Sequence, residues 1–189
     1  MDIENEIGVI ASIQPQWCRL ILPGIKTLEI RKTAPNLKPP FKVWTYCTLA
    51  GSKSFFCDNL RGDVAVWNKE KWGERKGHVI CEFTCDRIDK LYYDSDILYG
   101  IDHPNDYGFK IMETSRLTLQ QIADYFKGKD GYGWHISDLV VYERPLEISE
   151  FIRPCSTPYQ CESCEKLIAN FGCAQAIRRP PQSWCYAQR

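Results

Sequence analysis

Residues 24–35 read GIKTLEIRKTAP. Charged and apolar side chains alternate from Lys26 to Arg31, and a period of two predicts a strand with one face in a core. On that reading Leu28 and Ile30 point inward, while Glu29 and Arg31 share the opposite face. Two uses fit the charged face. One is an exposed same-face ion pair, which contributes little; the other is the polar wall of a binding site. Strict alternation also puts Thr27 with Glu29 and Arg31, and Lys26 with Leu28, unless a bulge or turn intervenes.

The flanking segments extend the pattern. Val9–Ile13 is a short apolar run, expected to be the first strand. Pro15–Leu22 predicts a helix, with Pro15 in the first turn, where a missing N–H costs nothing. Gly24 suits the helix end, and Pro23 shortens or distorts it. Asn36–Pro40 is a proline-rich turn that leads into the alternating strand Phe41–Cys47. Gly51–Gly77 is polar and reads as a loop with one short helix or strand around Val64–Trp67. His78–Ile88 alternates throughout and predicts one long central strand. Asp89–Ser115 reads as irregular. Leu119–Phe126 predicts a helix, with Thr118 as N-cap, Gln121 completing a capping box, and Leu119, Ile122 and Phe126 on one face. Gly131–Pro145 predicts another strand centred on Leu139–Tyr142, followed by a short connector, Leu146–Phe151. About five strands and two firm helices indicate the α+β class with a mixed or barrel-like sheet.

Bulk properties narrow the functions. With 189 residues the chain suits one domain carrying a small appendage. Lys plus Arg balances Asp plus Glu at 24 each, so bulk charge gives no strong non-specific pull toward a polyanion, though a local basic patch is compatible with it. Six Trp and ten Tyr serve either core packing or the stacking of flat ligands. The start, MDIENEIGVIASI, lacks the basic-then-apolar order of a secretory signal, and no apolar run has the length of a membrane span. These features lead to the expectation of an intracellular, cytoplasmic protein. In a reducing compartment its ten cysteines are expected to be core thiols or metal ligands more than disulfides.

Four of them cluster. Cys155, Cys161, Cys164 and Cys173 form C-x5-C-x2-C-x8-C, in a segment poor in large apolar residues. Four thiolates make the closed tetrahedral shell of a structural zinc site and leave no open position for catalysis. Metal could then replace a missing core. An iron–sulfur cluster, disulfides or unligated thiols are the competing readings. Cys81 and Cys85 lie in apolar strand contexts and read as core thiols.

Lys26, Glu29, Arg31, Trp134, His135, Ser137, Gln182, Ser183 and Trp184 stand out as polar or aromatic groups in firm local frames. For His135 the plain alternative is a packed, hydrogen-bonded histidine, and for Trp134 and Trp184 it is a place in the core. No G-x-S-x-G, P-loop or H-E-x-x-H is present, and three histidines make a His-based metal hydrolase a poor fit.

Taken together, IQPQWCRLILPGIKTLEIRK, YGWHISDLVVYERPLEISEF and RRPPQSWCY resemble the ASCH domain, a branch of the PUA-like superfamily. They match its opening strand, its Trp-bearing helix, the K-T-x-E-x-R strand, its closing strand, and a tail common in a subgroup from phage and low-GC bacterial genomes. The resemblance implies a small, strongly curved mixed β-barrel with flanking helices over residues 1–151 and a tail at 176–189 packed back on the barrel; between them the cysteine cluster is expected to make a zinc-bound insert at 152–175. It implies a cleft beside the first helix and the K-T-x-E-x-R strand that binds RNA or a modified, nucleotide-like ligand. There Arg31 would pair with phosphate or a base edge, Glu29 would accept from an exocyclic amine, and Trp17, Trp134 or Trp184 would stack the base; His135, Ser137, Gln182 and Ser183 complete the expected set. One branch of the family hydrolyses acylated cytidine, using the Lys of the K-T motif and a Thr three residues later. Lys26 is in place here, but Glu29 stands where that Thr would be. An enzyme would then rest on Lys26 and Glu29, as a nucleoside amidohydrolase or, with Arg31 and His135, a ribonuclease. A protein-interaction module is the third reading.

Overall fold

The protein is described by a computed structural model covering residues 7–50, 75–94, 97–100, 108–155 and 175–189. Its strands are β1 (Gly8–Ile13), β2 (Leu28–Arg31), β3 (Phe41–Cys47), β4 (Val79–Cys85), β5 (Ile88–Asp94), β6 (Ile97–Gly100), β7 (Gly131–His135), β8 (Ser137–Leu146) and β9 (Trp184–Ala187). Its helices are α1 (Pro15–Ile21), α2 (Phe109–Ser115) and α3 (Leu119–Phe126), with a 3-10 turn at Ile148–Glu150. The strands form a five-stranded sheet in the order β8-β4-β3-β1-β9 and a four-stranded sheet in the order β2-β7-β5-β6.

The α+β class is as expected, but the single strongly curved barrel is not observed: the described strands lie in two sheets and neither closes. Two breaks account for this. The expected long strand His78–Ile88 ends at Cys85, and after Asp86 and Arg87 the chain resumes as β5 in the other sheet. The expected strand Gly131–Pro145 is likewise cut at Ile136, whose amide donates to the Thr27 carbonyl at 2.9 Å; β8 then begins at Ser137 and carries Asp138 at φ 46°, in the left-handed region. The first predicted strand is thus shortened to β4 and the second divides into β7 and β8, while the segment read as irregular supplies nearly all of β5, with β6 and α2.

The chain divides into two compact units, residues 1–18, 42–82 and 140–189 in one and residues 19–41 and 83–139 in the other. In the first, β1 is buried along its whole length, as its unbroken apolar run demands. It pairs in parallel with β3, Ile10 opposite Trp44, and antiparallel with β9, Ile10 opposite Cys185. The tail therefore closes one edge of this sheet. Ile10, Trp44, Tyr46, Val79, Ile148, Phe151, Ile177 and Ala187 form the core. Gly8 is obligatory beneath it, because a Cβ there would lie 2.5 Å from the Lys42 carbonyl oxygen and 2.8 Å from the Trp44 ring.

One carboxylate ties three strands of this sheet. Glu82 on β4 accepts from the Tyr142 hydroxyl on β8 at 2.5 Å and from Trp44 Nε1 on β3 at 3.2 Å, both at Oε2; Lys42 Nζ donates to Oε1 at 2.9 Å. Burial pushes the Glu82 carboxyl up, but the bonds from Tyr142, Lys42 and Trp44 outweigh it and hold it below the usual carboxylate range. Burial, then the bond to Glu82, drives the Tyr142 phenol up from its ordinary value.

The second unit has its own core of Leu28, Ile30, Leu91, Ile122 and Phe126, lined by Ile111, Met112, Leu117 and Leu119. The capping box of α3 is formed: Thr118 Oγ1 accepts from the Gln121 amide at 3.2 Å, and Gln121 Oε1 accepts from the Thr118 amide at 2.9 Å. Ile122 and Phe126 are buried by that helix. A Cβ at Gly131 would overlap the Phe126 ring, so β7 can pass under α3 only with glycine there. No helix among the described residues is long and apolar enough to cross a membrane.

Candidate functional site

In the second unit the signature segment is built from a turn. Gly24, at φ 75°, closes α1 by donating to the Ile21 carbonyl at 2.7 Å. The Lys26 amide then donates to the Leu20 carbonyl at 2.8 Å, and β2 begins only at Leu28. Lys26 thus precedes the ladder and escapes its alternation. Its side chain swings to the Glu29 side, not the Leu28 side expected from strict alternation, while Thr27 is exposed.

The result is a buried charged cluster. Lys26 Nζ lies 3.3 Å from Glu29 Oε2, and Arg31 Nε lies 3.1 Å from Glu29 Oε1. Lys26, Glu29 and Arg31 are only 1%, 7% and 4% exposed, so the solvated-strand reading fails. Lys26 Nζ also donates to the carbonyls of Leu28 at 2.7 Å and Ser115 at 2.8 Å. Ser115 is the last residue of α2, whose terminal carbonyls have no helical partner and favour a cation. The lysine therefore pins α2 to the start of β2 and presents a fixed charge to Glu29.

Register decides which residues join this cluster. In the β2–β7 pair, Glu29 is opposite Trp134 and Arg31 opposite Tyr132, whereas Leu28 is opposite His135. Paired residues share a face. Trp134 therefore lies on the Glu29–Arg31 face; it is fully buried, with its ring edge-on to Phe41 at 6.2 Å and 80°. His135 lies on the other face, so the sheet separates it from Glu29 and Arg31.

His135 enters a second cluster that the sequence reading missed. Its Nε2 is 2.7 Å from Asp89 Oδ2. Arg87 grips the same carboxylate, Nε to Oδ1 at 2.9 Å and Nη2 to Oδ2 at 3.1 Å, and its Nη2 lies 2.9 Å from His135 Nε2. Asp89 is opposite Gly133 in the β5–β7 pair, so no side chain stands between it and the imidazole. His135 Nε2 thus faces an acceptor, Asp89 Oδ2, and the donors of Arg87, whose Nε also lies 3.3 Å away; the tautomer sets which of the two it bonds. The imidazole and the carboxylate are partly exposed, at 28% and 15%, and Arg87 is open at 51%. Ser137 is turned away from such chemistry, with its hydroxyl donating to the Thr84 carbonyl at 3.0 Å. The Asp86–Arg87 doublet, which interrupts an otherwise apolar alternation, was the available signal.

The remaining expected residues belong to the first unit. Trp17 is half-buried on α1. Gln182 is exposed, the Ser183 carbonyl accepts from the Ser12 amide at 2.8 Å, and Trp184 opens β9 with its ring edge-on to Tyr186 at 5.4 Å. Of the four clustered cysteines, Cys161, Cys164 and Cys173 lie outside the described residues, as does the Val64–Trp67 segment. Cys155 is half-buried, and its amide donates to Gln188 Oε1 at 3.0 Å. The described residues contain no group of three metal-ligating side chains. Cys81 and Cys85 are buried thiols as expected; burial pushes each up to about 12.

No family model and no curated protein matches the sequence. Solved structures do match the fold. A variant of the ASCH protein from Zymomonas mobilis superposes with a TM-score of 0.51 at 19% identity, over 95% of this chain and 88% of that one. A second variant of the same protein gives 0.52 at 19% identity, over 97% and 90%. At this identity the likeness is one of fold: the chain shares the fold of that ASCH protein, and within it Leu28–Arg31 of the K-T-x-E-x-R segment is a strand with a buried charged face.

Proposed function

We propose that the chain is an ASCH-type domain that binds RNA or a modified, nucleotide-like ligand beside β2. The observation behind this reading is the Lys26–Glu29–Arg31 cluster. Two cations converge on one carboxylate inside the fold, a geometry fixed before any ligand arrives. Preorganised charge of this kind suits a phosphate or base edge, where a guanidinium fork is specific. Each Glu29 oxygen retains acceptor capacity for an exocyclic amine.

A thermal-shift screen of nucleotides, modified nucleosides and short RNAs tests it. Binding by the wild type that is lost in Arg31→Lys, which keeps the charge but not the fork, supports the reading. No shift with any ligand overturns it in favour of a protein-interaction module. A hydrolytic reading draws support from the His135–Asp89 pair, a histidine oriented by a carboxylate as a general base requires. Turnover of acylated cytidine or RNA that survives both His135→Gln and the Lys26→Met, Glu29→Gln double change would remove it. For the insert we propose structural zinc on Cys155, Cys161, Cys164 and Cys173; about one zinc per chain is expected by metal analysis, with loss of metal unfolding the insert.

A further inference from the structure

His78 joins two segments of the first unit. Gly77, at φ 83°, donates its amide to the Cys47 carbonyl at 2.7 Å, and the Cys47 amide donates to the His78 carbonyl at 2.9 Å. These bonds fix the His78 backbone against β3 just before β4 begins. The imidazole then meets an oxygen at each ring nitrogen. Nδ1 lies 3.0 Å from the Lys76 carbonyl oxygen, and Nε2 lies 3.2 Å from Glu147 Oε1. Glu147 comes from a distant part of the chain: it follows β8 and opens the 3-10 turn. There its carbonyl accepts from the Glu150 amide at 3.1 Å, and its amide donates to Glu150 Oε1 at 2.9 Å. The turn carries Ile148 and then Phe151 into the core, with the Phe151 ring edge-on to Trp44 at 5.3 Å.

A carbonyl oxygen and an ionised carboxylate only accept hydrogen bonds. A neutral imidazole carries one N–H and satisfies one of these two oxygens, while its other nitrogen turns a lone pair toward the second. The imidazolium carries an N–H at each nitrogen and satisfies both. We infer that His78 and Glu147 form a proton-dependent clasp, which holds the start of β4 to the 3-10 turn while the ring carries its second proton and slackens when that proton leaves. Among the described residues, the other titratable groups around it are Arg75 and Lys76 in its own segment, Tyr46 and Cys47 on β3, and Glu150 on the turn, itself paired with Arg189 at 3.5 Å. Arg75 donates to the Tyr142 carbonyl at 2.9 Å. The Tyr46 hydroxyl stands beside the Gly77 turn; burial, then Cys47 and Glu147, push that phenol up, so it stays neutral where histidines titrate. The surrounding charge is therefore mixed in sign, and the two facing oxygens set which form of the ring fits. The clasp contributes at low pH, where the ring is charged, and its contribution disappears as pH rises. Past Phe151 the chain is held without it, since Ile152 exchanges backbone bonds with Gln188 at 3.0 and 2.9 Å. Only the Glu147 end of the turn answers to the proton.

The test is a double-mutant cycle of His78→Ala, Glu147→Ala and the two together in the full chain. It is read as hydrogen exchange at the Glu150 and Phe151 amides, corrected for the intrinsic effect of pH. The two side chains are 34% and 65% exposed, so neither change endangers the fold, and solvent limits the size of the effect. At about pH 5.5 the pair is expected to couple by about threefold in protection. At about pH 8.5 that coupling should vanish. Nitrogen NMR of the His78 ring gives a second readout: the second proton should leave at a higher pH in the wild type than in Glu147→Ala. Coupling that is absent at the lower pH, or equal at both, overturns the clasp. So does a ring that loses its second proton at the same pH in both proteins.

Discussion

Two glutamates, one in each unit, hold opposite kinds of company. Glu82 is held by groups from separate strands: Lys42 and Trp44 on β3 and Tyr142 on β8. Two of its three donors are neutral, and the third is a lysine with its side chain 34% exposed. Glu29 is held by cations from its own segment, Lys26 three residues before and Arg31 two after, all nearly dry. Glu82 joins strands that are distant in sequence, so it serves the sheet. Glu29 joins Arg31 of its own strand and Lys26 of the turn just before it, so its charge pairs are surplus to the ladder. That surplus is what makes the Glu29 cluster the better candidate for ligand chemistry.

The largest effect expected follows from this contrast. Glu29→Ala strips the shared carboxylate from two buried cations. Breaking a buried pair on one side costs about 3–5 kcal/mol, to be read as a fall in the urea midpoint. A loss under about 1 kcal/mol would mean that water reaches Lys26 and Arg31, and the cluster would no longer count as dry and preorganised.

Glu82→Gln should cost less, about 1.5–3 kcal/mol for bonds to a charged acceptor, because it leaves neutral donors and one lysine that can turn to solvent. Its pH dependence gives a sharper test. The folded state holds the Glu82 carboxyl below its ordinary value, so the carboxylate stabilises the fold above the unfolded pKa, and that contribution disappears as pH falls through the lower, folded one. Wild type and Glu82→Gln should therefore differ at neutral pH and converge as pH falls past the ordinary carboxylate range and through the lower, folded value. A gap that persists in acid would assign the effect to packing.

How much of this contrast was legible beforehand depends on sequence distance. The Glu29 cluster spans six residues, and its alternation was visible in GIKTLEIRK. The capping box at Thr118 was visible for the same reason, since its partners lie three residues apart. The Lys26 direction was misread because the ladder starts only at Leu28, a boundary set by Gly24 and the turn. The Glu82 tie joins residues 38, 40 and 60 positions apart, and Asp89 meets His135 across 46. Such pairs exist only once strand order and register are fixed. The alternation read through His78–Ile88 also runs past Cys85, where β4 ends, to Ile88, where β5 of the other sheet begins. No local period announces that switch; only the polar Asp86–Arg87 doublet marks it.

Tyr142→Phe isolates one neutral donor of the Glu82 set. It removes the hydroxyl and keeps the ring, so the expected loss is about 1.5 kcal/mol, with the residual bonds from Trp44 and Lys42 still holding the carboxylate. In acid the loss should shrink, since a protonated Glu82 accepts more weakly.

Lys42→Met should do least. The ammonium is one-third exposed, and solvent screens what it gains from Glu82, so the expected change is under about 1 kcal/mol and smaller still in high salt. Its aliphatic stem is replaced by a chain of similar length, which removes packing as a confounder. If Lys42→Met instead cost as much as Glu29→Ala, the Glu82 carboxylate would depend on a cation just as Glu29 does. The two sites would then be electrostatic equivalents, and the case for singling out the β2 cluster as the ligand wall would have to rest on Arg31 alone.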